Sequence, residues 1–141
     1  MLWDDFDLER FVSAQDTCFE NVLSELKAGR KSTHWMWFVF PQLEGLGKTI
    51  ISERFAIQSA EEAEAYMLHP ILSQRLIMCA ELLCAHSDKT AEDILGFVDA
   101  QKLCSSMTLF ANVEHSDPIF QMVLNLFFTD EECAYTKDFL F

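Results

Sequence analysis

Six consecutive residues, Trp35-Met36-Trp37-Phe38-Val39-Phe40, hold two tryptophans and two phenylalanines. Rings packed so densely have to be covered by other parts of the chain, so this run is the centre of a core, the wall of a pocket, or both. It is preceded by Lys31-Ser32-Thr33-His34 and followed by Pro41-Gln42. Whatever buries the rings therefore also gathers a lysine and a histidine at its mouth.

The other apolar residues recur at three- and four-residue spacing, the period of a helix. Leu8, Phe11, Val12, Phe19, Val22, Leu23 and Leu26 form one stripe and predict one helix. Asp7 is placed to cap its start and Gly29 to end it, while Lys27 and Arg30 complement its dipole. Ser32 or Thr33 is placed to cap a short helix over residues 34–40. A strand is the alternative there, because Trp, Phe and Val favour pleated surfaces, but the helical neighbours favour a helix. On that helix His34, Trp37 and Phe38 share a face, which puts Trp37 in the core and leaves Trp35 for another surface.

Residues 42–51 read as a loop containing Gly45 and Gly47. Ser59-Ala60-Glu61-Glu62 is a capping box, the serine bonding forward and Glu62 bonding back, and it opens a helix through Tyr66 and Met67. His69-Pro70 breaks that helix, and Pro70 suits the first position of the next, which buries Ile71, Leu72, Leu76, Cys79 and Leu83 and runs to about Ala85. Thr90-Ala91-Glu92-Asp93 starts a short helix closed by Gly96. Asp99 is placed to cap a helix holding Leu103, Met107 and Phe110. Asp117-Pro118 starts another carrying Phe120, Val123, Leu124 and Phe127. Thr129-Asp130-Glu131-Glu132 repeats the capping box, and Phe139-Leu140-Phe141 is apolar enough to dock on the body. With no linker or repeat, the expectation is an all-α fold: one compact domain, residues 1–141, of about seven helices, several of them short.

Half of the 141 residues are hydrophobic, which excludes a disordered chain. No run of apolar residues is long enough to span a membrane, and the first residues are acidic rather than basic, so the expected location is the cytoplasm. Five cysteines without a C-x-x-C pair read as reduced structural thiols. The net charge of −13 argues against binding a nucleic-acid backbone. It is unevenly spread: residues 27–54 carry five basic and two acidic residues, a local +3, against −16 for the rest. A basic island around the aromatic run would focus a small anion there; lysines that merely border loops are the plainer reading.

Gly45-Leu46-Gly47-Lys48-Thr49 lacks the earlier glycine of a P-loop, since Gln42 stands at that position. A glycine loop offering backbone N–H groups and Lys48 to an anion remains. The four histidines are too far apart to form a helical metal pair, and no metal site is expected. His34, beside Lys31 and the aromatics, suits either base work or a structural hydrogen bond. Lys102 and Ser106 share a helix face, with Asp99 one turn before Lys102. A serine–lysine pair can activate a nucleophile, but an aspartate partner keeps the lysine charged, and close-packing serines are the alternative. The acidic clusters at residues 61–64 and 130–132 lie at helix starts, where the dipole accounts for them.

Three blocks carry a family resemblance: Lys31 to Gln42 with Gly45-Leu46-Gly47; Ala65-Tyr66-Met67-Leu68-His69-Pro70 through Arg75-Leu76; and Asp99 through Phe110. The chain resembles, over nearly its whole length, the family called domain of unknown function 1810, a mainly α-helical bacterial and phage-borne group. Ser73 stands where glycine is usual in that pattern, and Cys104 where a basic residue is common. The resemblance implies the helical fold but no activity or cofactor. It does single out the polar residues that accompany the aromatics: Lys31, His34, Gln42, Arg75, Asp99, Lys102, Ser105 and Ser106. The expectation is that these surround one pocket floored by Trp35 and Trp37. Such a pocket fits a nucleotide-like anion, ADP-ribose or an NAD-derived molecule for example. His34 or Asp99 would be the acid or base if the ligand is hydrolysed, and Lys31, Gln42, Lys48, Arg75, Lys102, Ser105 and Ser106 would hold it. The competing expectation is a protein–protein adaptor presenting Trp35 on an exposed convex face. A third is a buried polar network that only fixes helix packing.

Overall fold

The computed structural model describes residues 6–43, 45, 49–128 and 136. Among them are nine helices, α1 (Glu9–Asp16), α2 (Phe19–Ala28), α3 (Met36–Val39), α4 (Ile50–Arg54), α5 (Ala60–Leu68), α6 (Pro70–Cys84), α7 (Ala91–Leu95), α8 (Phe97–Ala111) and α9 (Pro118–Phe127). The fold is all-α. The one sheet-like feature among the described residues is an isolated parallel bridge between Leu43 and Ile57. Every helix except α4 contributes to one hydrophobic core. The long helix α6 packs on α1, α2, α5 and α9, and α8 packs on α5, α7 and α9.

Two differences raise the helix number above seven. The expected first helix is broken at Thr17 and Cys18, where Cys18 leaves helical geometry (φ −145°, ψ 9°). The break lets α1 pack on α3 and α6 while α2 is re-aimed along α6. The stripe of apolar residues has no member between Val12 and Phe19, and the residue that fills the gap, Gln15, is buried and polar. The second addition is α4, capped by Thr49, whose hydroxyl accepts from the Ser52 N–H.

Several caps stand as expected. Gly29 takes the left-handed conformation after α2 (φ 71°), Pro70 and Pro118 begin α6 and α9, and Asp117 accepts from the Ile119 N–H. Thr90 and Asp93 form a reciprocal box at α7. Others differ. Asp7 does not cap α1: it has a positive φ of 53°, and its carbonyl accepts from Arg10. Ser59 caps α5, but Glu62 reaches past it to the Gln58 N–H and to Arg10. Asp99 is not a cap either; α8 starts two residues earlier behind Gly96, leaving Asp99 in the first turn with its carboxylate free to pair. Ile71 is exposed rather than buried, because α6 turns its Leu72, Leu76, Cys79 and Leu83 face inward. The second capping box, Lys48 and the C-terminal Phe139-Leu140-Phe141 lie outside the described residues.

The aromatic run reverses its expected orientation. Helix α3 begins at Met36, so Trp35 is its N-cap and is fully buried, whereas Trp37 is half-buried. Neither Ser32 nor Thr33 caps this helix: both precede its N-cap, Trp35, and the Thr33 hydroxyl donates to Glu25 instead.

Candidate functional site

The site begins at the C-terminal end of α2. Glu25 sits in its last turn, where the helix dipole disfavours a negative charge, so the carboxylate needs partners. The loop after Gly29 supplies them. Glu25 Oε1 accepts from the Ser32 N–H (2.6 Å), the Thr33 N–H (2.9 Å) and Trp35 Nε1 (3.1 Å), and Oε2 accepts from the Thr33 hydroxyl (2.6 Å). Burial pushes the carboxyl pKa up, but the Thr33 hydroxyl and then the Ser32, Thr33 and Trp35 N–H groups outweigh it and hold the pKa down at about 2. A second clamp closes the helix end itself. His86 Nε2 lies 2.9 and 3.0 Å from the Leu26 and Lys27 carbonyls and therefore carries the proton, and Lys89 Nζ reaches the Gly29 carbonyl.

So fixed, the loop donates the Lys31 N–H to the Ile94 carbonyl of α7 (2.7 Å) and sends the Lys31 side chain to α8. Lys31 Nζ lies 2.8 Å from Asp99 Oδ2, and Lys102 Nζ 3.4 Å from Asp99 Oδ1. These side chains are largely withdrawn from water, at 8% exposure for Lys31 and 18% for both Asp99 and Lys102. Each ammonium also sits over an indole: Lys31 Nζ is 5.1 Å from the Trp35 ring centre and Lys102 Nζ 3.9 Å from that of Trp37. Lys31, Trp35, Trp37, Asp99 and Lys102, from two separate stretches of chain, thus form one cluster. His34, next in sequence to Trp35, is exposed.

The remaining expected members stand apart from this cluster. Arg75 pairs with Asp16 (2.7 Å), reaches Gln15 Oε1 and lies over the Phe19 ring at the α1–α2 break. Its link to the aromatic run is indirect, through Gln15 Nε2, which donates to the Phe38 carbonyl. Gln42 is buried near α4, its carbonyl accepting from the Ile57 N–H. Ser105 is buried and bonds back to the Gln101 carbonyl. Ser106 is fully buried in the core, and its hydroxyl has no partner among the described residues. The four described cysteines are free thiols. Burial, only partly opposed by Arg75, pushes Cys79 up to about 12, which makes it inert. Among the described residues no group of His, Cys, Asp and Glu converges as a metal site.

The sequence matches, over residues 5–140, the family described as protein of unknown function (DUF1810). The chain belongs to that family. It is also similar to a solved structure described as the conserved hypothetical protein Rv1873 from Mycobacterium tuberculosis. The two share 45% identity over 96% of this chain and 97% of the other, with a TM-score of 0.94. No curated protein matches significantly. These similarities carry the family's helical fold onto this chain and leave its chemistry to be read from the cluster itself.

Glu25 and His86 were missing from the sequence reading, although both shape the site. A carboxylate in the last turn of a helix, ahead of a loop that carries Ser32 and Thr33, is the signal that could have found Glu25. His86 gave none, since it meets α2 only through the fold. Trp35, being buried, is not available to a partner protein, and it braces Lys31 and Glu25 from below.

Proposed function

We propose that the protein binds a small planar anion of nucleotide type at the face formed by Lys31, Lys102, Trp37 and the adjoining His34. The observation that carries this reading is the Lys102 ammonium held over a half-buried Trp37 while Asp99 ties it to Lys31. Two ammonium groups sharing one carboxylate leave a net positive charge. They are also held in place before any ligand arrives, which lowers the ordering cost of binding. An indole beside fixed cations suits a ligand whose ring stacks while its phosphate is paired. The basic island of residues 27–54 adds attraction on an otherwise acidic molecule. Both Asp99 oxygens already face lysines, so Asp99 organises the cations. His34, exposed and next in sequence to Trp35, is the group this reading assigns to proton transfer, and hydrolysis of the bound ligand is the reaction it would serve. The reading places the protein in the cytoplasm, where free thiols persist.

The test is thermal denaturation of the purified protein with AMP, NAD and ADP-ribose, repeated for Lys102→Ala. That variant keeps the Lys31–Asp99 pair and should fold. A ligand that binds the native state at a hundred times its Kd stabilises it by about 2.7 kcal/mol, and Tm rises accordingly. The expected result is a rise with at least one of the three that is largely lost in the variant, and product analysis then separates binding from hydrolysis. No rise with any of them, or a rise unchanged by the substitution, overturns the proposal.

A further inference from the structure

A cleft of about 580 Å³ opens between α7, α8 and the end of α9, within the size range of small-molecule sites. Its chemistry differs from that of the lysine cluster, although the two share a helix. Phe97, Ala100 and Cys104 recur at helical spacing on the cleft side of α8, while Asp99 and Lys102 lie on the opposite side. Phe127 and Phe128 complete the wall from the end of α9. Three aromatic rings thus border the cleft, and Phe97 is left 62% exposed although it stands among apolar neighbours. Among the described lining residues the one charged group is Glu92, and no Lys, Arg or His is present. Glu92 has no ion-pair partner among the described residues.

We propose that this cleft binds an organic cation, an alkylated ammonium carried on an apolar body. Aromatic faces present negative charge to a cation and apolar surface to its methyl groups, so several rings around one space hold a quaternary ammonium without hydrogen bonds. Glu92 supplies the complementary charge, and the overall −13 of the chain favours the approach of a cation. An anion would find no cationic partner among these residues. A neutral apolar molecule would fit the walls and make no use of the carboxylate. The proposal is independent of the anion site, because it draws on other residues and the opposite charge.

An isosteric series isolates the charge: choline as cation, 3,3-dimethylbutan-1-ol as neutral probe and 3,3-dimethylbutanoate as anion. Each is titrated into the full ¹⁵N-labelled chain, followed by amide NMR signals, for the wild type, Glu92→Gln and Phe97→Ala. Both substituted residues are exposed, so the variants should fold. Choline is expected to bind at least about fivefold more tightly than the alcohol and to move the signals of Glu92, Ala100 and Cys104. Glu92→Gln should remove most of that advantage while leaving the alcohol unchanged, and Phe97→Ala should weaken choline. Equal binding of cation and alcohol, preference for the anion, insensitivity to Glu92→Gln, signal changes elsewhere, or no binding at all would each overturn the proposal.

Discussion

Replacing Glu25 tests the idea that one carboxylate holds the loop that carries Lys31. Glu25→Gln keeps an oxygen for the Ser32, Thr33 and Trp35 donors and removes the charge; Glu25→Ala removes everything. The carboxyl pKa falls from 4.5 to about 2 on folding, a difference worth about 3 kcal/mol if carried in full. The group is partly open to solvent, and screening reduces its worth to about 1–2 kcal/mol. Glu25→Gln should therefore cost about 1–2 kcal/mol at pH 7, and Glu25→Ala about 1 kcal/mol more, since it also leaves four donors without an acceptor. Because the folded pKa is the lower one, this stability is present in full above pH 4.5 and is lost as the pH falls towards 2. Urea titrations of wild type and Glu25→Gln at pH 7, 5, 4 and 3 measure the gap directly. It should be constant from pH 7 to 5 and narrow below that. A variant as stable as the wild type at pH 7, or a gap that does not change down to pH 3, would refute the argument.

Two further substitutions probe the frame around the site. Arg10 donates to the carbonyls of Phe6, Asp7, Arg54 and Ala56 and pairs at 2.7 Å with Glu62, which is 2% exposed. Arg10→Ala leaves that carboxylate buried without its cation and should cost about 3 kcal/mol in chemical denaturation; a loss below about 1 kcal/mol would show the pair to be dispensable. Arg10→Lys should recover little, because an ammonium cannot reproduce the forked set of bonds. Ser106→Ala removes a buried hydroxyl without a partner among the described residues, so stability should hold or rise by up to about 1 kcal/mol, read as Tm. A clear loss would mean that the hydroxyl bonds to something after all.

The legible parts of the fold were those governed by neighbours in sequence. Pro70 and Pro118 at helix starts, Gly29 after α2, and the start of α7 behind Thr90 follow from local geometry, and each stands where the residues put it. The α1–α2 break was less visible, because its evidence is the polar Gln15 in the middle of an apolar stripe. Asp99 looked like a cap as long as Gly96 was taken only as the end of α7; the same glycine ends α7 and precedes α8. For the site, the family resemblance grouped Lys31, Asp99 and Lys102 with the two tryptophans, and the fold does gather them. Arg75 shared that pattern equally well and lies with Asp16 and Phe19 instead.

By itself the sequence determined the all-α class, most helix boundaries and the need to bury the aromatic run, because caps, periodicity and ring density act within a few residues. Tertiary structure alone decided which indole faces inward and which basic residues meet. Those outcomes depend on where α3 begins, which Glu25 sets from another helix by binding Ser32, Thr33 and Trp35. Helix α3 begins at Met36, two residues later than a start at His34, and each residue of such a shift turns the following side chains by about 100°; Trp35 is left at the N-cap in the core and Trp37 beside Lys102.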